Sequence, residues 1–168
     1  MTRWNALVLA ASRGESDPVA QAAGVRHKAF AVLEGRTMIE HVVAALRAVP
    51  EIGDIAASIA PEAPELPAGV LRVDAAAGPA ASTLAGFDRL GAPLLVTAAD
   101  HPLLTPGMVA DLLRAAEATG ADVLAGICPR ATVESAGNPA RRTWLRFADG
   151  AVSGANLFAL ATPRARGA

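Results

Sequence analysis

The sequence predicts an α/β domain of three layers, helices on both faces of a mostly parallel Rossmann-like sheet. Three observations predict it. Apolar runs without alternation recur at Asn5–Ala10, Ile52–Ala60 and Pro93–Ala99, as expected of strands covered on both faces. Helical stripes stand between those runs, and β-then-α repetition is the signature of right-handed parallel crossovers. The chain is 52% hydrophobic but only 4% aromatic, so its core is built of small aliphatic side chains, which suits helices laid on a sheet. At 168 residues one domain spanning 1–168 is expected, burying about two-thirds of its unfolded surface.

Asn5–Ala10 should be the central strand. Ser12–His27 contains Gly14, Pro18 and Gly24 and reads as a loop too long for an ordinary strand-to-helix turn, a length usual for functional loops. Thr37–Ala48 carries apolar residues at Ile39, Val42, Val43 and Leu46 with Thr37 and Glu40 at capping-box spacing, which predicts a helix. Ile52–Ala60 is a second buried strand, Pro61–Gly69 an exposed connection and Val70–Val73 a short third strand. Gly78-Pro79 opens a helix that Gly91 ends, with Leu84, Phe87 and Leu90 expected on the sheet side. Pro93–Ala99 is a strand ending at Asp100. Thr105-Pro106 caps a helix that buries Val109, Leu112, Leu113 and Ala116. Val123–Cys128 repeats the strand pattern, Ala131–Arg142 is small and polar, and Thr143–Phe147 alternates like an edge strand before the Asp149-Gly150 turn. Gly154–Leu160 is strand-like, and the chain ends at Pro163–Ala168 without a further helix.

Bulk properties exclude several classes. A net charge of −1 with no basic run argues against a nucleic-acid partner. No stretch is long enough to span a membrane. Arg3 and the short apolar run after it imitate a secretion signal, but the run is short and leads into a functional-looking loop, so a cytoplasmic protein is expected. Cys128 is the single cysteine; it allows no intrachain disulfide and reads as a small buried hydrophobe.

Chemistry in such sheets collects beyond the carboxyl ends of strands. Two features fall there: the long first loop and Asp100. Lys28, at the end of that loop, is the only lysine beside 14 arginines. Its compact ammonium on a flexible stem suits one phosphate oxygen, where a guanidinium is a rigid fork. Arg13 and Lys28 bracket the loop, and backbone amides near Gly14 add donors for a polyphosphate. Asp100 is placed either to hold a hard cation or simply to cap the turn before Pro102. Neither G-x-x-x-x-G-K-[ST] nor G-x-G-x-x-G occurs, which removes two common nucleotide-binding loops.

The opening LVLAAS-R-…-HKAF resembles the L-A-A-G-x-x-x-R-x-x-x-x-K signature of the MobA-like nucleotidyltransferases. Gly78–Leu84 (GPAASTL) is similar to that family's G-P-x-x-S segment, Ala99–Thr105 (ADHPLLT) to its A-D-x-P-x-x-T block and Ser153–Leu157 (SGANL) to its G-G-N segment. Four motifs in order specify the superfamily far better than the substrate. The resemblance implies a nucleotide-diphospho-sugar transferase, GT-A-like fold. It also implies transfer of NMP from an NTP, with GTP or CTP favoured, to a phosphorylated acceptor, with pyrophosphate released. On this resemblance Leu9, Ala10, Ala11, Ser12, Arg13 and Gly14 wrap the nucleotide, and Arg13 and Lys28 neutralise its phosphates. Ser82 lies near base or ribose, Asp100 holds Mg²⁺ or Mn²⁺, and Asn156 adds a contact to metal or acceptor.

Some positions depart from the family pattern. Ser12 stands where glycine is usual, which restricts positive φ. His27 replaces a proline, the spacer before Lys28 is longer, and many relatives continue beyond the Asn segment with another helix or strand. His101 is expected to point away from Asp100. His27, His41, Trp4 and Trp144 are read as structural. A sugar transferase on the same sheet would normally want an Asp-x-Asp pair where Asp100-His101-Pro102 supplies one carboxylate, and a non-catalytic binding module is the third reading.

Overall fold

The computed structural model describes residues 2–11, 17–137 and 142–167. Its main sheet has seven strands in the order β5-β4-β1-β6-β9-β7, with β8 also paired to β9. β1 (Trp4–Leu9) lies between β4 (Ile52–Ile59) and β6 (Leu94–Ala98), parallel to both. β5 (Leu71–Asp74) extends the parallel half beyond β4. β9 (Gly150–Leu160) is the one reversed strand, antiparallel to β6, to β7 (Val123–Pro129) and to β8 (Leu145–Phe147). Val32–Leu33 and Arg36–Thr37 form a separate two-stranded hairpin, β2 and β3.

β1 explains the layering. Its side chains alternate between faces, so Ala6 and Val8 join one core while Leu7 joins the other. The first core takes α2 (Met38–Arg47) and α4 (Pro106–Thr119) through Ile39, Val42, Val43, Leu46, Val109 and Leu113. The second takes α3 (Pro79–Leu90) through Phe87, together with Ala165 from a 3-10 turn at Pro163–Gly167. The expected three-layer arrangement is therefore present.

Helix boundaries follow local chemistry. The Thr37 hydroxyl accepts from Glu40 N–H (3.4 Å), and the Glu40 carboxylate accepts from Thr37 N–H (2.7 Å), closing the capping box at α2. Thr105 accepts from Met108 N–H at the start of α4 (3.2 Å), and Gly120, at φ 63°, ends it. Pro79 occupies the first turn of α3, and Gly91 supplies the positive φ at its end.

Five expectations need correcting. The Ser12–His27 segment is not all loop: Pro18–Ala22 forms a short helix, α1, because Asp17-Pro18 is itself a start signal, a capping carboxylate before a proline with no N–H to lose. Arg130–Ser135 forms α5, where Ala131–Arg142 read as small and polar. Leu84 is exposed; α3 buries Ser82, Gly86 and Phe87 instead. The helix sits so close to β1 that a Cβ on Gly86 would collide with the Leu7 methyls, and that approach rotates Leu84 outward. Pro163–Gly167, where no further helix was expected, form the 3-10 turn, and Cys128, expected to be buried, is half-buried because it lies on a strand at the sheet edge.

Candidate active site at the strand ends

The carboxyl ends of β1, β4 and β6 are stitched together up to the surface: Ala10 N–H donates to the Ser58 carbonyl and Ala99 N–H to the Leu9 carbonyl, each at 2.9 Å. Above them opens a cleft of about 1000 Å³. Leu9, Ala10, Ala11, Lys28, Ser82, Asp100 and Asn156 all line it. Ser12, Arg13 and Gly14 lie outside the described residues.

Lys28 begins a 3-10 turn, Lys28–Phe30, and its direction is set by its neighbours. Ala29 is buried on the following side and His27 on the preceding side, edge-on to Phe30 at 6.5 Å between ring centres. With both flanks anchored, the lysine stem is directed into the cleft. Its Nζ lies 2.7 Å from Asp100 Oδ2 and 3.2 Å from Asp17 Oδ2. Residues 72 positions apart in the chain thus meet at one rim. Burial is the largest influence on Lys28 and opposes its charge. The Asp100 hydrogen bond and charge, followed by those of Asp17, outweigh it and hold the ammonium above its ordinary value.

Asp17 was not singled out in the sequence, although Asp17-Pro18 was there to be read as a helix start. Its Oδ1 accepts from Val19 N–H (2.9 Å) and Ala20 N–H (3.2 Å). The Ala20 hydrogen bond is the main cause that keeps its carboxyl below the usual range, with Lys28 adding to it. Ser58 was also missed: its hydroxyl is buried without a partner among the described residues, in a residue that lines the cleft.

The Ser82 hydroxyl accepts from Ala76 N–H (3.0 Å) and so staples the β5–α3 loop, whose residues Ala76, Ala77 and Gly78 wall the cleft. Asn156 sits in a bulge of β9, where Ala125 pairs with Phe158 but Ile127 with Gly154. At φ 50° it occupies the left-handed region, and its carbonyl accepts from the Thr97 hydroxyl (2.9 Å). A bulge re-aims a side chain at a sheet's functional end.

His101 Nδ1 is buried without a partner among the described residues. Burial lowers the His101 pKa and so favours the neutral imidazole, and the Asp100 charge only partly offsets it. His27 and Trp4 are buried, as expected of structural residues. Trp144 packs under the Arg130 guanidinium, 5.6 Å from the ring centre.

The charged side chains lining the cleft among the described residues are Lys28, Asp17 and Asp100, which leaves an acidic excess. No group of three or more His, Cys, Asp or Glu among the described residues could cage a metal.

Residues 6–147 match the MobA-like NTP transferase domain. The chain belongs to this family. Three solved structures place the MobA-like domain among its relatives in shape. A hypothetical transferase from Thermus thermophilus is 29% identical with a TM-score of 0.77, covering 95% of this chain and 66% of its own. This chain therefore spans slightly less than two thirds of that protein. A 2-C-methyl-D-erythritol 4-phosphate cytidylyltransferase, also from Thermus thermophilus, is 17% identical (TM-score 0.59), with 92% of this chain and 69% of that one covered. A CMP:2-keto-3-deoxy-manno-octonic acid synthetase complexed with CTP is 13% identical (TM-score 0.68), with 95% and 74% covered. At those identities the last two speak for the fold alone. No curated protein sequence matches at a significant level. Among the described residues no helix is long and apolar enough to cross a membrane.

Proposed function

We propose that this protein transfers a nucleoside monophosphate from an NTP to a phosphorylated small molecule, in the cytoplasm, and releases pyrophosphate. The observation that carries this reading is the 2.7 Å approach of Lys28 to Asp100 over the cleft: the family's cationic and anionic motif residues share one site. In the reaction an acceptor phosphate oxygen attacks the α-phosphorus and the bond from that phosphorus to the pyrophosphate oxygen breaks. No protein nucleophile is needed, so catalysis is positioning and charge stabilisation.

Lys28 binds phosphate oxygens and, with Arg13, takes up charge as it spreads toward the leaving group. The loop that Ser82 holds and the strand ends at Leu9–Ala11 orient the nucleoside. Asp100 and Asn156 are the oxygen donors that would hold Mg²⁺ or Mn²⁺. One carboxylate and one amide suit a hard cation that takes its remaining ligands from water and phosphate. That ion would neutralise triphosphate charge in a cleft that holds the Asp17 and Asp100 carboxylates.

The family resemblance favours GTP or CTP, and the CTP-linked names of two structural neighbours make CTP the first of the two to test. A thermal-shift panel of the four NTPs with and without Mg²⁺, followed by pyrophosphate release with molybdopterin, sugar phosphates and other phosphorylated acceptors, tests the proposal. One Mg·NTP at a hundred times its Kd should stabilise the fold by about 2.7 kcal/mol. Stabilisation by a nucleotide-sugar and by no NTP would point to sugar transfer instead.

A further inference from the structure

Asp17 divides its carboxylate between two tasks. One oxygen is fixed on the N–H groups of Val19 and Ala20, and the other faces the Lys28 ammonium at 3.2 Å. The helix it caps is anchored in turn, since Ala20 is buried and its carbonyl accepts from Val25 N–H (3.0 Å). Asp100 is held differently. Among the described residues its side chain has one hydrogen bond, the 2.7 Å contact to the same ammonium. If Asp100 takes a divalent cation, two cations share one carboxylate, and the ammonium, the weaker competitor, loses part of its hold. A lysine loosened this way has a long flexible stem, and without a second fixed carboxylate its orientation would rest on the phosphates alone at the moment it is needed.

We propose that Asp17 is the positioning residue for Lys28: it keeps the ammonium in the cleft when Asp100 turns from that ammonium to the metal-bound triphosphate. The proposal rests on the nucleotidyl-transfer reading of the site. It assigns Asp17 no contact with substrate. Asp17 acts through Lys28, as a fixed carboxylate whose rigidity comes from its other oxygen.

The test uses the fact that Lys28 is the only lysine. Labelling the full-length protein with ¹³C-lysine gives a single Cε resonance, whose order parameter reports Lys28 alone. It is measured free and with whichever of the four Mg·NTPs binds wild type most tightly. In wild type Lys28 should stay ordered in both states. Asp17→Asn keeps the helix cap, since Asn caps as well as Asp, and removes the charge. Its Lys28 should be nearly as ordered as wild type without ligand, where Asp100 still holds it, and less ordered than wild type with Mg·NTP. Nucleotide affinity should fall about tenfold, the scale of one charged hydrogen bond. Asp17→Glu, which keeps the charge and weakens the cap, should restore part of the order. An Asp17→Asn complex with an ordered Lys28 and unchanged Kd overturns the role of Asp17 and leaves nucleotide binding standing. A wild type that binds none of the four refutes the nucleotide reading and this proposal with it.

Discussion

At Lys28 one ammonium faces two carboxylates, and its side chain remains 28% exposed, open enough to exchange a carboxylate for a phosphate. Lys28→Ala should lower turnover by about a hundredfold or more, the scale of losing one preorganised charge contact. Lys28→Arg should recover little of it, because a planar fork cannot sit between Asp17 and Asp100 as a point charge does. Steady-state pyrophosphate release measures both, and an unimpaired Lys28→Ala would remove this residue from the site. The lone lysine was legible in the sequence because composition isolates it, and Asp100 because it ends an apolar run. Asp17 was hidden inside a polar stretch: its value depends on a contact eleven positions away that no local pattern encodes.

Among the elements, α2 was the easiest to read and α3 the hardest to orient. Thr37 and Glu40 announce their helix by spacing alone, and the hydrogen bonds are those the spacing implies. In α3 the stripe Leu84, Phe87, Leu90 suggested the buried face, yet Gly86 is what lets the helix lie against Leu7. Gly86→Ala should destabilise the protein by about 1–3 kcal/mol through overpacking, although alanine is the better helix former. Chemical denaturation of the variant measures it; a gain in stability would show that α3 can move away from β1 without cost. The β9 bulge is a case of the same kind. Ser153–Leu157 was legible as a motif, but the left-handed turn at Asn156 follows from mismatched register against β7.

Across the whole molecule, the C-terminal turn is tied to two distant elements. Arg166 grips Asp88 of α3 with two hydrogen bonds (2.7 and 3.0 Å), while Asp122 accepts from Thr162 and from Arg164 (3.2 Å). The Arg166 hydrogen bond is the main cause of the lowered Asp88 pKa, and the Thr162 hydroxyl is the main cause at Asp122. A carboxyl whose folded pKa is depressed adds stability that is fully present above its unfolded value, about 3.9. That stability is lost as pH falls through the folded value. Between about pH 5 and pH 2 the melting temperature of wild type should therefore fall more than that of Asp88→Asn. Parallel acid limbs would show that the Arg166 tie adds nothing.

Taken alone, the sequence determined the main parallel strands β1, β4 and β6, the helices α2, α3 and α4, which face of α2 and α4 is buried, and which motif residues belong together. Each of these depends on neighbours within a few positions. Only the tertiary structure decided that β9 enters the sheet reversed between β6 and β7, that Gly86 sets the approach of α3, and that Asp17 joins Lys28 and Asp100. Those outcomes come from competition among distant segments for the same core and the same charge, and no stretch of chain contains both competitors.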